Sequence, residues 1–295
     1  MLRAKKPEAV QKRLKLFMFG PAGVGKTTAA LNFPNAYIID GERGTENYEK
    51  IINASGSMVF QTTQVEDVIT EVKSLLTEKH EFRTLIIDPI TILYNDLLDR
   101  SEAKVGSDFG RHYGAANKQM KRLSSLIMAL DLNVVVTAHA KKEYAPGAAM
   151  QLLGQTFDGW KALDYLFDLV MDLSKKGKKR FGRVVKSRIE TFPDEDVFEW
   201  SYDAIKKRYE AFAGEGILDR ASVPVELATP EQVKTLKQLL EVVRLPDDTT
   251  AKWLAKANVD TFEDMPAATI DKCVQYVRDR LPDGKMRIEP AEAVA

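Results

Sequence analysis

The segment Gly20-Pro21-Ala22-Gly23-Val24-Gly25-Lys26-Thr27 satisfies the spacing G-x-x-x-x-G-K-[ST], and no other stretch constrains the fold of this chain so tightly. The pattern requires a buried strand that delivers the backbone into a tight loop and a helix that carries it away. Both flanks comply: Leu14 to Phe19 (LKLFMF) is a short apolar run that stops at Gly20, and a short helix is expected after Lys26. Glycines let such a loop wrap closely around phosphates, with backbone N–H groups and the helix N-terminus turned toward negative charge. Residues Gly20 to Thr27 and the following Thr28 are therefore the expected nucleotide cradle, with Lys26 opposing the β/γ-phosphates and Thr27 ligating Mg²⁺.

The regions downstream keep the same rhythm. Ala36 to Asp40 (AYIID), Thr84 to Asp88 (TLIID) and Asn133 to Thr137 (NVVVT) are apolar runs of strand length. Between them, Val65, Val68, Ile69, Val72, Leu75 and Leu76 follow helical spacing, and a second helix is expected near Ala116 to Leu130. Alternating strands and helices predict an α/β fold with a mainly parallel sheet covered on both faces. From Phe167 onward DLVMDL, a turn at Lys175 to Lys179, RFGRVVKS and VFEW read as antiparallel hairpin strands closing one edge.

Asp88 ends its strand where a carboxylate belongs that holds Mg²⁺ in a P-loop nucleoside triphosphatase. Pro89 stands where an AAA+ or helicase protein would carry a catalytic Glu. GTPases are disfavoured, because Asp88 lacks the D-x-x-G glycine and Asn117-Lys118 is followed by Gln119-Met120 rather than completing N-K-x-D. A group that activates water is still required. Asp40-Gly41-Glu42 ends the strand after the P-loop helix and so lies at the sheet edge that holds the nucleotide.

The P-loop, the D-x-E after the next strand, and Asp88 without a following Glu together resemble the RecA family of recombinases. The resemblance implies that Glu42 is the catalytic base; the competing reading is a solvated loop carboxylate beside Arg43. It implies a γ-phosphate sensor at His139, where RecA itself has Gln. It also implies that Lys186 and Arg188, in VVKSRI, reach a neighbouring subunit's nucleotide. ATP and Mg²⁺ are the implied cofactors, single-stranded DNA the implied partner, and a filament or ring with shared sites the implied assembly. The likeness spans roughly residues 12–209, lacks RecA's larger flanking domains, and is similar to the core-only RecA-like ATPases of bacteriophages associated with single-strand annealing and recombination.

Two segments are expected to be DNA-contacting loops: Ser101 to Tyr113, and Ala140 to Trp160. They supply Lys104, Arg111, Tyr113, Lys141, Lys142, Tyr144 and Trp160, cations for phosphates and aromatic rings for unpaired bases. A further cationic tip lies at Lys175, Lys176, Lys178, Lys179 and Arg180.

Charge balances at 43 Lys+Arg against 43 Asp+Glu, so any nucleic-acid contact must be a local patch rather than a bulk positive field. Cys273 is the sole cysteine, which excludes an intrachain disulfide or a cysteine metal cluster. With no long apolar run and a polar, basic start, a cytoplasmic protein is expected, in the host cytoplasm if phage-encoded.

The division expected along the 295 residues is an ATPase core over 1–212, a linker over 213–228, a helical module over 229–283 and a polar tail over 284–295. Thr229-Pro230-Glu231-Gln232 starts the module as a capping box with Pro at N1. The module resembles small C-terminal modules of phage recombination proteins, and a single-strand-binding protein is its candidate partner. Two other readings stay open: a P-loop phosphotransferase such as a small-molecule kinase, and a nucleotide-switched loader or scaffold for replication proteins.

Overall fold

The computed structural model describes residues 12–145 and 151–281. Two compact units divide between Pro224 and Val225. The first is built on β1 (Lys15–Gly20), α1 (Lys26–Ala30), β2 (Ala36–Asp40), α2 (Glu49–Ala54), β3 (Met58–Gln61), α3 (Val65–Thr77), β4 (Thr84–Asp88) and α4 (Ile90–Val105). Then follow α5 (Arg111–Ala129), β5 (Asn133–Tyr144), β6 (Leu152–Asp158), α6 (Leu163–Leu166), β7 (Leu169–Lys176), β8 (Lys179–Ser187), β9 (Val197–Glu199) and α7 (Tyr202–Ala213).

The sheet runs β3-β2-β4-β5-β1-β7-β8-β9, with β6 paired to β5. All pairings from β3 through β7 along this path are parallel, whereas β5–β6, β7–β8 and β8–β9 are antiparallel. This is the expected mainly parallel sheet with C-terminal hairpin strands. Parallel strands buried on both faces need continuous apolar runs, and Leu16, Phe17, Met18, Ile38, Ile39, Ile86, Ile87 and Val134 to Val136 are all buried.

Register sets the chemistry. Gly20 pairs with His139 and Asp40 with Asp88, and Ile87 pairs with Val136, which places Asp88 level with Thr137. The ends of four parallel strands thus bring Gly20, Asp40, Asp88 and His139 to one edge of the sheet, the edge where open α/β sheets bind ligands.

Three expectations need correction. The Ala140 to Trp160 segment is not an irregular loop: β5 continues to Tyr144 and pairs with β6 as a two-stranded arm, because alternating side chains from Ala140 to Tyr144 meet Leu152 to Phe157 in antiparallel register. Residues 146–150 of that segment lie outside the described residues. Ser101 to Tyr113 is mostly helical, since α4 extends to Val105 and α5 begins at Arg111; only a short break separates them, with Gly106 and Gly110 at positive φ. The stretch from Gly214 to Ala221 packs on the core, as Ile217 and Leu218 are buried. Arg13 donates to the carbonyls of Ile217, Arg220 and Ala221, and Asn133 Nδ2 to that of Leu218 at 2.7 Å.

Lys15 sits inside the first strand with its Nζ buried beside the C-terminus of α5, donating to the carbonyls of Ile127, Leu130 and Leu132 at 3.2, 2.9 and 3.0 Å. Burial pulls its pKa down to about 7, against the attraction of Asp131 and Asp168. Between about pH 7 and 10 the unfolded chain holds a proton here that the folded chain does not. Stability therefore rises with pH across that window, by up to about 1.4 kcal/mol per pH unit from this group. Lys15→Met should flatten this slope in denaturant titrations run at several pH values; an unchanged slope would show that Lys15 stays charged in the fold.

In the second unit α8 (Pro230–Val242), α9 (Thr249–Ala257) and α10 (Ala267–Arg278) enclose a core of Val233, Leu236, Leu239, Ile270, Val274 and Val277. The Thr229/Gln232 capping box is formed in both directions. No helix among the described residues is long and apolar enough to cross a membrane.

Candidate active site

The loop between β1 and α1 borders a cavity of about 600 Å³ walled by Lys26, Thr27, Glu42, Asp88, His139 and Arg180, among others. Gly23 and Gly25 adopt φ of 74° and 92°, left-handed conformations that an L side chain resists, so the glycine spacing of the motif is a backbone requirement here. Lys26 Nζ donates to the carbonyls of Gly20 and Pro21 at 2.9 and 3.2 Å, which holds the ammonium over the loop. Burial draws its pKa below the ordinary lysine range, opposed by Asp88 and Glu42. Thr28 Oγ1 lies 3.0 Å from the Tyr48 hydroxyl, turning the second threonine toward the cavity wall.

Asp88 is buried and accepts a hydrogen bond from the Thr137 hydroxyl, and the Thr27 hydroxyl is near enough to favour its charged form. Burial raises its pKa and these two donors oppose the rise. A threonine hydroxyl beside a carboxylate is a hard-oxygen donor pair, the chemistry that Mg²⁺ selects while keeping its remaining positions for phosphate and water. Thr27 and Asp88 thus fit Mg²⁺, and the glycine cradle with Lys26 fits a polyphosphate. Among the described residues no group of three or more His, Cys, Asp or Glu side chains is placed to hold a metal ion.

Glu42 is held by its backbone. The Asp40 carboxylate, buried at the end of β2, accepts from the N–H groups of Glu42, Gly44 and Thr45 at 3.0, 3.1 and 2.9 Å and from the Thr45 hydroxyl. The Gly41 N–H donates to the Asp88 carbonyl at 3.0 Å, and Arg43 completes the turn at φ 58°. Glu42 therefore projects from a turn pinned to two strand ends. Its Oε1 lies 2.8 Å from His139 Nε2, and the two side chains are 40% and 39% exposed, open to water in the cavity. A carboxylate oriented by an imidazole at the mouth of a phosphate site can orient and deprotonate a water molecule.

Asp40→Asn tests the pinning: one acceptor oxygen becomes an NH₂ facing N–H donors, leaving buried donors unpaired. Thermal unfolding should show a loss of about 1–3 kcal/mol; no loss would show that the turn does not depend on Asp40.

A family described as AAA domain matches residues 12–199. The chain belongs to it. It is accordingly a nucleotide-binding protein of the P-loop ATPase class, and in this AAA domain the residue after Asp88 is Pro89, while Glu42 is a second carboxylate lining the cavity beside Asp88. No curated protein matches the chain. Among solved structures, the RadB recombinase is similar at 17% identity and a TM-score of 0.42, over 63% of this chain and 86% of that one. A DnaB-like replicative helicase is similar at 13% identity and a TM-score of 0.39, over 64% of this chain and 54% of that one.

The fold of the AAA domain brings Lys26, Thr27, Glu42, Asp88 and His139 together. It sets Lys186 and Arg188 apart. Because β8 is antiparallel to β7, Lys186 is level with Phe17, and Arg188 lies beyond it toward the end of the sheet opposite the P-loop. Lys186 Nζ donates to the carbonyls of Asp164 and Phe167, and Arg188 to the Tyr165 carbonyl and Asp168.

Of the expected DNA residues, Arg111 opens α5, Lys142 and Tyr144 are exposed on the β5–β6 arm, and Lys141 pairs with Asp158 at 3.1 Å. Lys141 also borders a second cavity of about 550 Å³, with Tyr94, Tyr113, Asn117 and Trp160. Sequence reasoning named Asp40 within D-x-E without giving it a role, and it gave none to Thr137 or Tyr48. A threonine ending an otherwise apolar NVVVT run was the available signal for Thr137. Arg180 and Lys175 were read within a cationic tip, yet both line the nucleotide cavity.

Proposed function

We propose that the protein is an ATP- and Mg²⁺-dependent ATPase, stimulated by single-stranded DNA, that acts in phage homologous recombination or single-strand annealing. The observation that carries the hydrolytic part is the Glu42–His139 pair, fixed at 2.8 Å on a turn that faces Lys26, Thr27 and Asp88. In this reading Gly20 to Thr28 bind the phosphates, Thr27 and Asp88 hold Mg²⁺, and Glu42 takes the proton from the attacking water while His139 keeps the carboxylate aimed. Mg²⁺ held by Thr27 and Asp88 would supply the positive charge that offsets charge on the transferring phosphate.

DNA stimulation is supported by a short hydrogen-bonded path. Thr91 Oγ1 accepts from the His139 N–H at 2.9 Å and donates to the Asp158 carbonyl at 2.7 Å, and Asp158 pairs with Lys141. Lys141, Tyr113 and Trp160 surround the second cavity, a grouping of cation and rings suited to backbone phosphate and unpaired bases. Arg111, Lys142 and Tyr144 extend that surface. Arg188, with Lys186, acts on a neighbour's nucleotide in a filament or ring of identical chains. The second unit recruits a single-strand-binding protein, and the site of action is the host cytoplasm.

Phosphate release measured with and without single-stranded DNA, on the unmodified protein and a Lys141→Ala/Trp160→Ala protein, tests this. DNA should raise the rate of the first and not of the second. A rate that DNA leaves unchanged in the unmodified protein would remove the DNA-coupled reading. Phosphate transfer to a small-molecule acceptor instead of water would favour a phosphotransferase.

A further inference from the structure

The β7–β8 hairpin carries a dense run of cations, and three of them are engaged within the hairpin and its neighbouring strand. Lys179 pairs with Glu199 at 2.7 Å, Arg183 pairs with Asp172 and Glu195 at 3.3 and 3.1 Å, and Lys176 lies over the Phe181 ring. Among the described residues no carboxylate pairs with Arg180. Its side chain instead crosses to the P-loop, donating from Nε to the Val24 carbonyl at 3.0 Å. The guanidinium lies so close to Gly25 that a Cβ there would sit 2.2 Å from its Nη2.

Strand geometry explains the aim. Side chains two apart share a face, so Arg180 points the same way as Gly182 and Val184. Val184 is buried in the cluster that also contains Val24, Ala29 and Trp200. The backbone is fixed as well, because the Trp200 N–H donates to the Arg180 carbonyl at 2.8 Å and Lys175 faces Arg180 across the hairpin. Lys175, level with Arg180, lines the same cavity as Lys26.

From this we infer that Arg180 is a phosphate-binding residue of its own subunit's nucleotide site, gripping the polyphosphate and favouring ATP over ADP and AMP. The inference rests on the nucleotide-binding reading above. Nε is occupied by Val24, so the guanidinium is oriented while its Nη groups remain for phosphate oxygens, an arrangement lysine cannot reproduce. A fixed cation gains most with the most highly charged phosphate chain, and discrimination by nucleotide charge follows.

Equilibrium binding of fluorescent ATP, ADP and AMP analogues in the presence of Mg²⁺ tests the assignment on the full chain and on Arg180→Ala, Arg180→Met, Arg180→Lys and Lys26→Ala. Arg180→Met keeps the aliphatic packing, and melting curves confirm the fold of each variant. ATP affinity should fall about tenfold or more in Arg180→Ala and Arg180→Met, ADP affinity by less and AMP affinity least, with partial retention in Arg180→Lys. An unchanged ATP affinity, or an equal loss for all three nucleotides, would overturn the inference and leave the nucleotide site standing if Lys26→Ala still loses binding. An unmodified protein that binds none of the three would overturn the nucleotide reading and this inference with it.

Discussion

Glu42→Gln should leave ATP binding nearly intact and slow turnover about 10²- to 10⁴-fold, the usual cost of removing a positioned general base. The separation follows from how the residue is held. Asp40 and Asp88 fix the turn through the backbone groups of Gly41, Glu42 and Gly44, none of which changes when the side chain becomes an amide. Gln keeps the size of Glu and retains an oxygen that can accept from His139 Nε2. What disappears is the ability to take a proton. Lys26→Ala should behave in the opposite sense, losing nucleotide binding because the cation over the loop is gone. His139→Asn should fall between, lowering the rate by less than Glu42→Gln, since it removes the partner of the carboxylate and leaves the carboxylate in place. Single-turnover phosphate release beside nucleotide titration separates these cases, and a Glu42→Gln protein that hydrolyses ATP at the unmodified rate would place the base elsewhere.

What was legible in the chain before its structure was whatever a local pattern encodes. The octapeptide fixes φ signs and charge in eight consecutive residues, and buried parallel strands write themselves as apolar runs, so β1, β2, β4 and the start of β5 could be located directly. Less legible were features decided by distant partners. Lys15 reads as an ordinary polar position in LKLFMF, yet its three acceptors come from the far end of α5 and the turn after it. Lys141, Lys142 and Glu143 are weak strand formers, and pairing with β6 makes them strand nonetheless. Ile217 and Leu218 sit among glycines and charges that suggest a linker, but Arg13 and Asn133 satisfy the backbone carbonyls there and the two side chains fill the core. Arg180 was hidden for another reason. Five neighbouring cations make any one of them look like surface charge, and only the register of β8 against β7 shows which one turns toward the P-loop.

Arg188→Ala should lower turnover about 10³- to 10⁵-fold in the assembled protein, the range associated with an arginine supplied in trans to a phosphoryl-transfer site. Its own P-loop is out of reach, since β8 carries Arg188 to the opposite end of the sheet, and its side chain is 54% exposed where a neighbouring chain can meet it. Mixing Glu42→Gln and Arg188→Ala proteins, each nearly inactive alone, provides the decisive measurement. With head-to-tail contacts, about a quarter of the interfaces in an equal mixture join an intact Glu42 to an intact Arg188, so a comparable share of the unmodified rate should return. A mixture shown to co-assemble, yet no more active than its parts, would remove the shared site. Lys186 has a structural role as well. Its Nζ caps the carbonyls of Asp164 and Phe167, and partial burial lowers its pKa. Lys186→Met should therefore unfold at lower temperature and, because Lys186 acts with Arg188, regain turnover when mixed with Glu42→Gln; no rescue in a co-assembled mixture would confine Lys186 to the cap.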